Sequence, residues 1–180
     1  MASPDGPPKA LLITALALAV TAIGAVLAMA VIRQHAQQPV PVSPVPVPQA
    51  HDPACRRVLA ALPSQLGDYH RVATPPSPAG TVVWRNGSAV VVLRCGLERP
   101  TDFVLGSPIQ VVDHVQWFAG NGPRSGEEAS YRTWYTVDRP VYLALTLPHG
   151  SGPTPIQQLS EVIDQSIPAV PHDTRGTSPR

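Results

Sequence analysis

The stretch VVWRNGSAVVVLRCG, residues 82–96, predicts a β-hairpin and decides the fold. Asn86 and Gly87 are a pair typical of a two-residue type I′ turn, because both central positions of that turn need a positive φ. The strand after the turn is β-branched and apolar on both faces, which indicates a central strand of a sheet. The strand ends in Cys95, and the chain holds only one other cysteine, Cys55. The fold therefore depends on what Cys95 meets.

Patterns on both sides of the hairpin predict an α+β domain over residues 51–168. Asp52 is a good N-cap for a first helix that Pro63 ends, and a second helix is predicted from Thr154. About five short antiparallel strands are predicted between the helices, since apolar residues alternate there. A run of strands flanked by helices implies that both helices pack on one face of the sheet. Beyond the hairpin, three strands are predicted, at residues 109–117, 130–137 and 140–148. In residues 109–117, Ile109, Val111, Val115 and Trp117 share one parity, and Asp113-His114 form a turn. A tight turn at Asp138-Arg139 joins the last two strands.

A disulfide between Cys55 and Cys95 is the predicted structure at the end of the central strand. Cys55, Val58, Leu59 and Leu62 are spaced i, i+3, i+4, i+7, so Cys55 lies on the apolar face of its helix. Exported chains with an even number of cysteines usually pair them. Two buried free thiols are the alternative if the domain faces the cytoplasm. The spacing is not that of a redox C-x-x-C pair, and the six histidines are scattered singly, so no metal site is predicted.

Residues 10–32 form an uncharged apolar run that predicts a transmembrane signal anchor. A helix of this length spans roughly 35 Å, which exceeds a hydrocarbon core of about 30 Å. The alternative is a signal peptide cleaved near Ala30, where Ala28-Met29-Ala30 fits the A-x-A rule. Either way the chain is expected to be exported, with residues 1–9 in the cytoplasm and the C-terminal domain outside the cytoplasmic membrane.

Proline clusters predict two segments that lack a packed core. The chain holds 23 prolines, too many for one compact domain of this size. Residues 33–50 are predicted to be a proline-rich linker in the polyproline II conformation, a stalk that would hold the domain away from the bilayer. Residues 169–180 are predicted to be a disordered tail.

Charge and motif content exclude several classes of function. The formal net charge is +1, and from His51 onward eleven arginines balance eleven acidic residues. A neutral domain has no electrostatic reason to bind phosphate backbones, so nucleic-acid binding is not expected. The segment HGSGP at residues 149–153 lacks the spacing of the G-x-S-x-G nucleophile motif. The sequence therefore predicts no catalytic residues and no cofactor.

Aromatic residues on the strands are the candidate binding group. Trp134 falls on the opposite parity from Tyr131 and Tyr135, so one of the two sets faces away from the core. An aromatic face flanked by Arg132 and Arg139 suits a glycan or a protein partner, and core packing is the alternative. The candidate binding residues are Arg94, Trp117, Trp134 and Arg139.

The order of these motifs resembles a known family. The chain has, in this order, a helical cysteine before LAALP, the strand VVVLRCG, a V-x-W strand, and TVDRPVYLALTLP before a closing amphipathic helix. In this order of motifs it resembles the actinobacterial membrane-anchored proteins catalogued as domain of unknown function 3515. The resemblance implies an exported domain with a single-pass anchor and no known activity. It spans roughly residues 52–167 and rests on Cys55, Trp84, Arg94, Cys95, Gly96, Trp117 and Arg139.

These observations together predict a membrane-anchored extracytoplasmic domain that acts as a non-enzymatic interaction module of the cell envelope. The lipid bilayer is expected to hold residues 10–32, and an envelope protein or a glycan is the expected partner. The alternatives are a small cell-wall hydrolase or lyase and a carbohydrate-binding module.

Overall fold

The computed structural model describes residues 9–36, 45–74, 78–121 and 130–171. Contacts divide the chain into two units, residues 1–38 and residues 39–180. Parts of the predicted segments lie outside the described residues, namely residues 1–8 of the cytoplasmic segment, residues 37–44 of the linker and residues 172–180 of the tail.

Helix α1 (Lys9–Ala36) covers the predicted anchor. Its described side chains, those of residues 13–29, are all exposed. Across the described ranges, no helix is both long and apolar enough to cross a membrane, so the structure does not support the predicted span over residues 10–32.

In its described residues, the second unit contains one antiparallel sheet of eight strands, so the prediction of an α+β fold is confirmed and the prediction of about five strands is wrong. The strands are β1 (Gln65–Leu66), β2 (Tyr69–Val72), β3 (Thr81–Asn86), β4 (Ala89–Leu97), β5 (Ile109–Val112), β6 (Val115–Ala119), β7 (Tyr131–Thr136) and β8 (Tyr142–Pro148). They lie in the order β1-β2-β3-β4-β8-β7-β6-β5, which places the predicted central strand β4 in the middle.

Two physical reasons account for the extra strands. Strands β1 and β2 are short, and among their residues only Leu66 and Tyr69 are buried, so they carry almost no alternating pattern. The predicted strand 109–117 is two strands, β5 and β6, joined by the turn at Asp113-His114. The predicted turn at Asp113-His114 is confirmed. Because a two-residue turn exchanges the parity of the sequence, Ile109 and Val111 lie on the opposite face from Val115 and Trp117, although all four share one parity.

The hairpin of β3 and β4 is confirmed, with a different turn. Asn86 pairs with Ala89, so the two central residues are Gly87 and Ser88 instead of Asn86 and Gly87. Gly87 has φ +59°, whereas Ser88 has no positive φ. A positive φ at the first central position alone is typical of a type II′ turn, which needs its glycine there.

Helix α2 starts at a proline after an aspartate cap, as predicted, whereas in α3 the proline lies one residue further into the helix than predicted. In α2 (Pro53–Ala61) the side chain of Asp52 accepts a hydrogen bond from the Ala54 backbone N–H at 2.7 Å. In α3 (Thr154–Ser166) the N-cap is Pro153, and no side chain caps the helix. Thr154 therefore begins the helix but is not its predicted cap.

The two faces of the sheet are named here the helix face, which is buried, and the outer face, which is covered in part. On the helix face, both helices pack over a core that includes Trp84, Leu93 and Leu143, as the strand pattern predicted. On the outer face, Phe103 lies against Phe118 with their ring centroids 5.1 Å apart. The segment between β4 and β5 thus covers part of the second face.

The Cys55–Cys95 disulfide joins α2 to β4, which confirms the predicted pair. The two Cα atoms are 5.6 Å apart across 40 residues of sequence, and both residues are fully buried. Directly after Cys95, the carbonyl of Gly96 accepts a hydrogen bond from the Gln49 backbone N–H at 3.0 Å. The described end of the proline-rich segment is therefore bound to the same end of β4.

Candidate functional site

Trp117 lies in the core beneath α3. Its side chain is fully buried, and its indole N–H donates a hydrogen bond to the Ser160 hydroxyl at 2.9 Å. That hydroxyl donates in turn to the Ile156 carbonyl at 2.8 Å. The aromatic face of Trp117 is therefore enclosed by the protein.

Arg139 is also buried, and it forms ion pairs inside the domain. Its guanidinium contacts the Asp138 carboxylate at 3.1 Å and the Asp164 carboxylate at 2.8 Å. It also donates to the His114 carbonyl at 2.9 Å. Arg139 thus connects the β7–β8 loop, the β5–β6 turn and α3. The predicted tight turn at Asp138-Arg139 is part of a longer loop, since β7 ends at Thr136 and β8 begins at Tyr142.

Asp138, which pairs with Arg139, has a shifted pKa. Burial raises the pKa of Asp138 above its ordinary value, whereas a hydrogen bond with the Gln116 backbone and the charge of Arg139 act to lower that pKa. The Asp138 carbonyl accepts a hydrogen bond from the Val170 backbone N–H at 2.8 Å. The segment after α3 is therefore tied to the same network.

Arg94 lies half-buried on the outer face, in the middle of the sheet. It pairs with Thr81 of β3 and Ala144 of β8, and Ala144 pairs with Tyr135 of β7. Burial lowers the pKa of Arg94, whereas Tyr135 acts to raise it. Burial raises the pKa of Tyr135, which the charge of Asp102 raises further. The outer face thus carries a polar cluster of Arg94, Tyr135 and Asp102.

Trp134 lies on the helix face and lines a cleft, named here the Trp134 cleft. The cleft has a volume of about 440 Å³, which is within the usual range for sites that bind small molecules. It is lined by Gln110, Arg132, Trp134, Leu147, Ile156 and the loop of residues 148–153.

The Trp134 cleft combines an apolar floor with polar walls. Leu147 and Ile156 are buried, whereas Trp134 is half-buried. The guanidinium of Arg132 lies 5.9 Å from the Trp134 ring centroid, within range of a cation–π contact. Of the described residues, no aspartate or glutamate lines this cleft.

A second cleft, of about 530 Å³, lies between the β5–β6 turn and the polar side of α3. Its acidic side chains include Asp113 and Glu161, and His114 lies beside them. Within the described ranges, no group of three or more histidine, cysteine or acidic side chains is arranged to hold a metal ion.

The four candidate binding residues are therefore in four different places. Trp117 and Arg139 are enclosed, Arg94 is on the outer face, and Trp134 is in the cleft on the helix face. Sequence reasoning did not select Gln110 for this cleft. Gln110 had a usable signal, because it is a polar residue on an otherwise apolar edge strand.

Comparison with known proteins assigns the chain to a family. No curated protein and no solved structure matches it. A family model described as "Protein of unknown function (DUF3515)" matches residues 16–172, which is most of the chain. The chain belongs to this family of proteins of unknown function, DUF3515.

Proposed function

We propose that this protein is a non-enzymatic interaction module of the cell envelope, exported so that residues 51–168 act outside the cytoplasm. The observation that carries the proposal is the buried disulfide between Cys55 and Cys95. Structural disulfides form in oxidising compartments and are rare in the reducing cytosol. A pair buried this deeply in the core suits a domain that folds after export.

The apolar sequence of residues 10–32 supports the same location. An apolar run of this length without charges suits either an uncleaved anchor or a signal peptide. In our proposal the segment directs export, and it stays in the bilayer as an anchor unless the chain is cut near Ala30.

The composition of the Trp134 cleft favours binding over hydrolysis. Glycoside hydrolysis usually needs two carboxylates that flank the scissile bond. The described lining of the Trp134 cleft has an aromatic ring, an arginine and an imidazole but no carboxylate. A carbohydrate-binding module is therefore the second candidate function, ahead of a cell-wall hydrolase or lyase.

Cysteine labelling in intact cells tests the proposed location. Ser88 is exposed at the hairpin turn, and Ser3 precedes the apolar run. We expect a membrane-impermeant maleimide to label Ser88→Cys in intact cells and to label Ser3→Cys only after permeabilisation. Labelling of Ser88→Cys only after permeabilisation would contradict export. Loss of the Ser3 site from the mature protein, with a mass that starts near residue 31, would identify cleavage in place of anchoring.

Incubation with isolated envelope material separates binding from hydrolysis. We expect the purified protein to sediment with this material and to release no soluble saccharide or peptide from it. Release of fragments that scales with the amount of protein and with time would favour the hydrolase or lyase instead.

A further inference from the structure

We propose that the Trp134 cleft binds a saccharide that carries a carboxylate. The inference rests on the proposed function in one respect, because an envelope module would meet such saccharides outside the cell. The binding chemistry depends only on the residues of the cleft.

The indole of Trp134 provides the surface on which a sugar ring can stack. Sugar rings present a face of C–H groups, and aromatic rings bury such apolar surface well while they leave hydroxyl groups in water. Trp134 is half-buried, so part of its ring is accessible, and the buried side chains of Leu147 and Ile156 close the cleft beneath it. A wholly polar ligand without such a face would gain little from this arrangement.

The charge of the cleft favours an anionic ligand over a neutral one. The Arg132 guanidinium is exposed and lies 5.9 Å from the Trp134 ring centroid, so a ring stacked on Trp134 would bring its substituents near this cation. Guanidinium groups form strong charge-assisted hydrogen bonds with carboxylates. Among the residues that the structure describes, no acidic side chain lines the cleft, so none of this lining opposes a negative charge.

The start of α3 adds to the same preference. The N-terminal end of a helix carries partial positive charge on its free backbone N–H groups. In α3 no side chain caps this end, and the first turn holds no acidic residue. Pro153, at the N-cap, is part of the cleft lining.

Polar side chains around the rim match the hydroxyl groups of a saccharide. Gln110, His149 and Ser151 line the cleft and together offer both donors and acceptors. In the loop beside them, Gly150 and Gly152 have open space where a Cβ would lie. The loop therefore leaves room for a ligand to approach its backbone.

Intrinsic fluorescence can report on this cleft alone. Trp84 and Trp117 are fully buried, so Trp134 is the tryptophan that a soluble ligand can reach. The probe is trigalacturonate, and its methyl ester is the matched control, since it keeps the three rings and removes the charge. We expect trigalacturonate to quench the fluorescence of the full-length protein in nonionic detergent, with at least tenfold tighter binding than the ester.

Two arginine variants separate the cleft from general surface charge. We expect Arg132→Gln to weaken the binding of trigalacturonate about tenfold and to leave the ester almost unchanged. Arg71→Gln removes an exposed arginine of β2 outside the cleft and should change neither affinity. Calorimetric titration gives a second readout that does not depend on tryptophan.

Three results would overturn the inference: no binding of trigalacturonate, equal affinity for the acid and the ester, or an unchanged affinity in Arg132→Gln. These results leave the location of the protein untouched, since that depends on labelling of Ser88→Cys in intact cells. A different result is that the protein binds trigalacturonate but Ser88→Cys is not labelled by the maleimide in intact cells. That result would contradict the envelope role and leave the assignment of the cleft standing.

Discussion

Gly96 shows how a single position controls the end of the central strand. It has φ +92°, a conformation that favours glycine, and a Cβ at this position would overlap the backbone of Gln49 and Ala50. The glycine in the RCG segment therefore lets the chain before α2 cross β4 next to the disulfide. The sequence singled out this glycine, but only the structure gives the reason.

Gly96→Ala should destabilise the domain by about 3 kcal/mol or more, because the backbone would have to move as well as adopt a strained φ. Gly87→Ala is the matched control, since Gly87 also has a positive φ but has open space around it. Its cost should be about 1 kcal/mol. Urea unfolding of both variants measures the difference, and equal losses would show that the close approach at Gly96 does not matter.

Arg139→Met should destabilise the domain by about 3–5 kcal/mol, because it leaves Asp138 buried without its cation. Arg71→Met, at an exposed site, should change the free energy of unfolding by less than about 0.5 kcal/mol. Chemical denaturation of the two variants provides this comparison.

The loss of stability in Arg139→Met should depend on pH in a defined direction. The folded-state pKa of Asp138 is raised, so the folded protein holds this proton more tightly than the unfolded chain does. Its contribution to stability is therefore present at low pH and is lost as the pH rises through the folded pKa. Removing the guanidinium raises that pKa further, so the deficit of Arg139→Met should be smaller at about pH 5 than at about pH 7.5. A deficit that grows on acidification would contradict this account.

Helix α3 is positioned by one buried polar contact as well as by its apolar stripe. The Ser160 hydroxyl accepts a hydrogen bond from the Trp117 indole and is fully buried. An apolar pattern predicts Ile156, Leu159 and Ile163, but it passes over a serine on the same face. The sequence therefore identified the helix and its face but not the hydrogen bond that joins it to β6.

Ser160→Ala should cost about 1–3 kcal/mol, because it leaves the Trp117 N–H buried without its acceptor. Ser166→Ala is the control, since the Ser166 hydroxyl bonds only within the helix, to the Val162 carbonyl at 2.6 Å. We expect a smaller loss there, together with an unchanged tryptophan emission spectrum. Equal losses in the two variants would show that the indole contact contributes nothing.

Among the other elements, those with a strong local pattern were predictable. The hairpin, the central strand and both helices of the second unit carry turn residues, alternation or a cap in their own sequence. Strands β1 and β2 do not, since two buried residues are too few to form a pattern. The Trp134 cleft brings together residues as distant in sequence as Gln110 and Ile156, and Arg139 meets Asp164 across 25 positions. Contacts of that kind depend on the topology of the sheet.

For the whole molecule, the disulfide is the main constraint on the unfolded chain. Its two cysteines are 40 residues apart, and in the chain-entropy model closing such a loop stabilises the fold by about 4 kcal/mol. The double variant Cys55→Ala/Cys95→Ala should lose roughly this amount. Wild-type protein treated with dithiothreitol should unfold at a similarly lowered temperature. Unchanged thermal stability in both samples would show that the disulfide contributes little.

The central claim is that this disulfide forms in cells because the domain folds outside the reducing cytosol. The direct measurement is to lyse cells into denaturant with excess iodoacetamide and no reductant. The mass of the intact protein is then measured by mass spectrometry. We predict that neither Cys55 nor Cys95 is alkylated until the sample is reduced, after which both are. Alkylation of both sulfurs before reduction would contradict the claim.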